Sequence, residues 1–373
     1  MRACCEREIN TFMKKAVVLL SGGLDSIIAV KLMIEQGVEV VALHFTTPFC
    51  QCNNHKKGCG SSAQKIAEEF KVEIKTINNA EEFFKILKRP KHGFGSHMNP
   101  CIDCRILMLK TTKEYMEKIG ASFVVTGEVL GQRPMSQHSE ALDLIERKSG
   151  LKGLILRPLS AKWFEETIPE KEGWVDRNKL LSIKGRGRRE QMNLADSYGI
   201  KDYPCPAGGC LLTDVHFSTR LKDLMKHSEL SINEALLLKA GRHFRLDEKT
   251  KLIVGRNDND NQVITSLSKE GDMIIDMSDC PGPVGLLRGN LSDENIDLAC
   301  RITGRYADPV RNLEVPGLTN IIEDNVGKQQ ISNGADPSKD KSGLVAAELK
   351  ISGNNKKVSV KPMTDEETRP YII

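Results

Sequence analysis

An apolar run, Ala16–Leu20, leads straight into Ser-Gly-Gly-Leu-Asp-Ser at residues 21–26 and then into the helix-patterned stretch Ile27–Met33. A buried strand that ends in a glycine-bearing loop and opens a helix aims several backbone N–H groups at one point. The positive end of the helix dipole faces the same point, so the turn is built to hold phosphate. Gly22 and Gly23 let the backbone approach an anion without a Cβ clash. Ser21 and Ser26 add hydroxyl donors, and Asp25 can orient a metal ion or a ribose. No Gly-Lys-Ser/Thr follows, so this is not the Walker pattern. The plainer alternative is a serine-rich turn with no ligand.

The segments that follow alternate. Residues 38–45 read as a second buried strand, 61–70 as an amphipathic helix, 72–77 as a third strand, 81–87 and 104–119 as helices, and 122–126 as a fourth strand. Strands alternating with helices predict a parallel α/β sheet that binds ligands at the carboxyl ends of its strands. Ser21–Ser26, His44 with Phe45, and Thr126–Gly131 then share one rim.

Thiols form the second signal. Asn-Pro-Cys-Ile-Asp-Cys at 99–104 sets Cys101 and Cys104 at the start of a helix, within reach of one metal or cluster and beside a dipole that favours thiolate. A turn at 204–210 carries Cys205 and Cys210. Cys50, Cys52, His55 and Cys59, in the long loop 46–60, can close a zinc site, or the loop is a surface segment with incidental thiols. The sequence opens without the apolar core of a secretory signal, and Met13 is an alternative start. Eleven cysteines in that setting point to metal or redox chemistry in the cytoplasm rather than to disulfides.

The turn at 21–26 resembles the PP-loop (SGGxDS) of ATP pyrophosphatases. Together with the Asn-Pro-Cys-x-x-Cys turn and the later Gly209-Cys210, it makes residues 14–214 similar to the tRNA thiolation enzymes, including tRNA 4-thiouridine synthetase and tRNA 2-thiouridylase. The resemblance implies a Rossmann-like α/β fold (adenine nucleotide alpha hydrolase, or HUP) with helices on both faces of a parallel sheet, plus a smaller C-terminal α+β domain. It implies ATP and Mg2+, held by Ser21, Gly22, Gly23, Asp25, Ser26, His44, Phe45, Thr126 and Gly127. Its cluster-dependent members imply a [4Fe–4S] cluster on Cys101, Cys104 and a third cysteine; Cys210 is favoured and Cys205 is the alternative. Cysteines carrying a persulfide and closing a disulfide are the cluster-free alternative. Cys101, Cys104, Cys210 and Asp25 are the implied catalytic residues. The Thr126-Gly-Glu128 strand end resembles a nucleotide-contacting turn, and Gln132 and Arg133 after it are candidates to contact phosphate or RNA. The implied partners are tRNA and a sulfur donor, either sulfide or a cysteine desulfurase or sulfur carrier; a homodimer stays open.

At 373 residues, with 39% hydrophobic and 28% charged residues, the chain has room for two or three domains, and no apolar stretch reaches the ~20 residues of a membrane helix. A net charge of +4 leaves any RNA surface to local clustering. Lys184, Arg186, Arg188 and Arg189 supply such a cluster, with glycines between them; a solvated charge run is the alternative. Expected boundaries are an N-terminal extension (1–12), a PP-loop domain (13–160), a basic, cysteine-bearing connector (161–230) and a C-terminal module (231–373) with a disordered loop at 325–343. The Gly255-Arg-Asn257…Asn261 stretch resembles the NFACT-R type of RNA-associated domain. A PP-loop enzyme thiolating or amidating a small molecule, and a non-catalytic RNA-binding or cluster-carrier protein, are the rival readings.

Overall fold

The structure, a computed structural model, describes residues 14–50, 61–201, 203, 210–277, 280–307, 344–351 and 354–373. The expected extension at 1–12 and loop at 325–343 lie outside them, as do Cys52, His55, Cys59 and Cys205. The chain divides into two compact units, Met1–Ser218 and Thr219–Ile373.

In the first unit, β1 (Lys15–Leu19), β2 (Glu39–Thr46), β3 (Glu73–Asn78), β4 (Phe123–Thr126) and β5 (Ile155–Leu156) form one sheet in the order β3-β2-β1-β4-β5. Every pairing is parallel. The period-2 alternation of β1 explains the layers. Ala16, Val18 and Leu20 face a core shared with α1 (Leu24–Glu35) and α2 (Ser61–Glu69). Val17 and Leu19 face the opposite core, shared with α4 (Cys101–Lys118) and α5 (Ser139–Ser149). Both faces are therefore covered, as a parallel sheet requires, and the fold is the expected Rossmann-like one. The strand order reverses between β1 and β4, where open α/β sheets bind their ligands.

One predicted boundary moves. The helix expected from residue 104 starts at Cys101, so both thiols of the Cys-x-x-Cys lie in the first turn of α4. Pro100 explains the stop: it is the residue before the helix, and its ring cannot continue the hydrogen-bond ladder backwards.

In the second unit, β6 (Arg242–Arg245), β7 (Lys251–Val254), β8 (Met273–Met277), β9 (Gly285–Arg288), β10 (Val345–Ile351) and β11 (Asn354–Val360) form an antiparallel sheet in the order β11-β10-β8-β9-β7-β6. One of its cores joins Phe244, Leu252 and Ile275 to Ala299, Cys300 and Ile302 of α11 (Asp293–Arg305). The chain end rejoins the sheet through a bridge between Phe244 and Ile372. No helix among the described residues is long and apolar enough to cross a membrane.

Candidate nucleotide and thiol site

The turn after β1 is held from within. The Ser26 hydroxyl donates to the Gly23 carbonyl (2.7 Å), and the Ser21 amide donates back to Ser26 Oγ (3.2 Å). Gly22 has φ +79°, a left-handed conformation, and an added Cβ would stand 3.0 Å from Ser62. Glycine is thus required there on two counts. Asp25 accepts a hydrogen bond from Gln132 Nε2 at 3.0 Å, while its other oxygen, Oδ1, is buried without a partner among the described residues. A buried carboxylate oxygen left in that condition is a ready cation ligand. His44 is buried and bonds the Leu20 carbonyl through Nδ1 (2.8 Å), which leaves Nε2 buried and unmatched at the rim. Phe45 follows it and is half-buried.

The end of β4 closes against this turn. A Cβ on Gly127 would lie 2.6 Å from the backbone of Asp25 and Ser26. We expect Gly127→Ala to push the end of β4 away from the start of α1 and weaken nucleotide binding at least about tenfold, at an overpacking cost of about 1–3 kcal/mol. Isothermal titration with ATP alongside urea unfolding checks this; unchanged ATP affinity would refute the close-packing role.

Glu128 follows, and it does not face the nucleotide turn as expected. It is 2% exposed and takes Arg105 on one oxygen (2.9 and 2.5 Å) and Arg157 on the other (3.1 Å). Burial alone would raise this carboxyl; the two guanidinium groups outweigh it and hold it at about 2. Thr126 Oγ1 adds a bond at 3.1 Å. Glu128 therefore fixes Arg105, the residue directly after the Cys-x-x-Cys.

Cys101, Cys104 and Cys210 meet Arg105 and Arg133 in one neighbourhood. Burial raises the Cys101 thiol, opposed by Arg133, Arg105 and hydrogen bonds from Asn99 and Ser136. Burial, then the Cys210 thiol, pushes Cys104 up to about 12, and burial likewise pushes Cys210 to about 12. Without a partner these two stay protonated at neutral pH. Cys50, assigned on sequence to a zinc loop, joins them: it forms a β-bridge with Cys210 and acts electrostatically on both Cys104 and Cys210. No three His, Cys, Asp or Glu side chains among the described residues stand close enough to hold one metal ion. The candidate donors are all soft sulfur and half-buried, a chemistry that suits an iron–sulfur cluster better than a single closed zinc.

Among the predicted basic residues, Lys184 and Arg186 are exposed, Arg188 is half-buried and Arg189 opens α7 (Arg189–Ser197). Lys184 is bridged to Leu130 and lies over the ring of Trp163, which is 46% exposed. Sequence reasoning missed Arg105 and the place of Cys50. Only Arg105 carried a local signal, its adjacency to Cys104.

Residues 12–168 match the family described as thiamine biosynthesis protein (ThiI). Residues 241–320 match the NFACT protein RNA binding domain. A probable tRNA sulfurtransferase of Thermococcus kodakarensis is 31% identical over 156 residues, 41% of this chain and 39% of that protein. A tRNA-specific 2-thiouridylase MnmA of Pseudomonas fluorescens is 23% identical over 250 residues, 64% of this chain and 62% of that one. Among solved structures, the U34-tRNA thiolase NcsA of Methanococcus maripaludis, with its [4Fe–4S] cluster, gives a TM-score of 0.30 at 18% identity, over 62% of this chain and 75% of that chain. The chain thus spans about two fifths of the length of the sulfurtransferase that it matches. The ThiI-family match ends at residue 168, so it includes the nucleotide turn, Cys50, Cys101 and Cys104, while Cys210 lies beyond it.

Proposed function

We propose that this chain is an ATP-dependent sulfurtransferase that adenylylates a uridine carbonyl oxygen in tRNA and replaces it with sulfur handled by Cys101, Cys104 and Cys210. The observation that carries the reading is the chain of contacts joining the turn at 21–26 to a group of half-buried thiols, through Gly127, Gln132, Glu128 and Arg105. The ThiI-family domain and the names of the relatives support sulfur and tRNA as the substrates. The RNA-binding match at 241–320 and the basic residues 184–189 support RNA as the larger partner.

ATP enters as substrate. Backbone N–H groups of 21–26 and the Ser21 and Ser26 hydroxyls receive its terminal phosphates, and Asp25 would hold Mg2+, which when bound supplies charge neutralisation. The uridine oxygen attacks the α-phosphorus; that P–O bond forms as the bond to pyrophosphate breaks. Sulfide then adds to the activated carbon, and the old oxygen leaves with AMP. Arg105, anchored by Glu128, and Arg133 place positive charge where anionic sulfur arrives. Cys101, Cys104 and Cys210 would hold a [4Fe–4S] cluster, which when bound supplies an iron position for sulfide.

Anaerobically purified protein given ATP, unmodified tRNA and sulfide should form a thiouridine, seen by nucleoside mass spectrometry, with AMP in equal amount. About four irons per chain, lost in Cys101→Ala, would identify the cluster; iron-free protein that is active with inorganic polysulfide, a sulfane donor, but not with sulfide would assign sulfur to a persulfide instead. Absence of both thionucleoside and tRNA-dependent ATP–pyrophosphate exchange would overturn the reading in favour of a non-catalytic carrier.

A further inference from the structure

Cys50 belongs to a segment that the sequence assigns to a metal loop, yet the fold sets it across from Cys210. The two form an antiparallel bridge, and the Leu211 amide donates to the Phe49 carbonyl at 2.9 Å. A bond between the residues flanking the pair, rather than within it, makes Cys50 and Cys210 the narrow, non-hydrogen-bonded kind. Such pairs have Cα atoms about 4.5 Å apart with side chains on the same face, inside the roughly 4.4–6.8 Å that a disulfide spans. Both sides are held firmly. Phe49 is fully buried among Phe83, Phe84 and Phe217, and Leu212 is fully buried with its carbonyl accepting from the Met98 amide. Thr47 Oγ1 lies 3.5 Å from Cys50 Sγ, where its hydroxyl can donate to the sulfur.

We propose that Cys50 is the resolving thiol of Cys210, closing a cross-strand disulfide with it when Cys210 carries sulfane sulfur. The inference rests on the persulfide form of the sulfur-transfer reading above. The Cys50 thiolate, having given its proton to water, attacks Cys210 Sγ. The new Cys50–Cys210 bond forms as the bond from Cys210 Sγ to the outer sulfur breaks, and that sulfur leaves as hydrosulfide with the electron pair. No oxidant is consumed, since the sulfane sulfur is the group reduced. A dithiol reductant then returns both cysteines to thiols. The register favours Cys50 over Cys101 and Cys104, which come from the first turn of α4 and have no strand pairing with Cys210.

The test needs neither ATP nor tRNA, so it can fail while tRNA thiolation stands, and the converse. Reduced full-length protein is treated with inorganic polysulfide, excess reagent is removed, and released sulfide is followed by a fluorescent probe. Peptides are then mapped without reduction, with fragmentation to separate Cys50 from Cys52. We expect a Cys50–Cys210 link and about one sulfide per chain. Cys50→Ser should leave the persulfide on Cys210 and slow sulfide release at least about tenfold, and Cys50→Ala should match it with an unchanged unfolding midpoint. A link from Cys210 to Cys101 or Cys104, unchanged release in both variants, or no sulfane sulfur on Cys210 would each overturn the assignment.

Discussion

Cys104→Ala should lower tRNA thiolation at least about a thousandfold while tRNA-dependent ATP–pyrophosphate exchange changes less than about threefold. The separation follows from the position of the residue. Its thiol lies 4.0 Å from Met108 Sδ and acts electrostatically with those of Cys101 and Cys210, whereas the turn proposed to bind phosphate is built from residues 21–26 and Gly127. The substitution removes one sulfur from a half-buried position, a loss of about 1–2 kcal/mol, too small to unfold the domain. Exchange and nucleoside mass spectrometry on one preparation check it. Parallel loss of both activities would make Cys104 a packing residue; retention of thiolation would remove it from sulfur handling.

The largest effect on stability is expected from Glu128→Gln. The change leaves Arg105 and the 4%-exposed Arg157 facing a neutral amide, and breaking a buried ion pair from one side costs about 3–5 kcal/mol. The pH dependence has a definite sign. The folded carboxyl sits at about 2, below its ordinary value of 4.5, so its contribution is complete above about pH 4.5 and is lost as pH falls toward 2. That difference corresponds to roughly 3 kcal/mol. Both tryptophans, Trp163 and Trp174, lie in the first unit, so their fluorescence reports its unfolding. Urea midpoints between pH 6 and pH 3 should fall more steeply for the unaltered chain than for Glu128→Gln. Parallel slopes would show that Glu128 is not the titrating anchor.

Much of the first unit was legible because its signals are local. A strand, a glycine-bearing turn and a helix are contiguous, and strands β1 to β4 are spaced by helices of ordinary periodicity. Gly127 and Gln132 were placed near the nucleotide turn from their position after β4 and from the family resemblance, a neighbourhood that the parallel order brings beside Asp25. What stayed hidden depends on register. Cys50 reads as one of four ligands in its own loop, since only pairing with a strand 160 residues away reveals Cys210 opposite it. Glu128 looked like a nucleotide contact because sequence gives its place after the strand but not the face it takes, and the arginines that claim it lie 23 and 29 residues away. The edge strand β5, two residues long, is too short to show any period.

The place of β1 at the centre of its sheet sets an order of events during synthesis. Ala16–Leu19 pair on one side with β2, but their other neighbour is Phe123–Thr126, more than a hundred residues later. At about 5–20 residues per second the ribosome takes on the order of 5–20 s to deliver that second neighbour. Until then one edge of the apolar strand β1 is open, and the nucleotide turn lacks the Gly127 wall against which it is shaped. A nascent chain stalled before residue 123 should therefore depend on chaperones and gain no grip on ATP, whereas one released past β5 has every strand it needs to close the sheet.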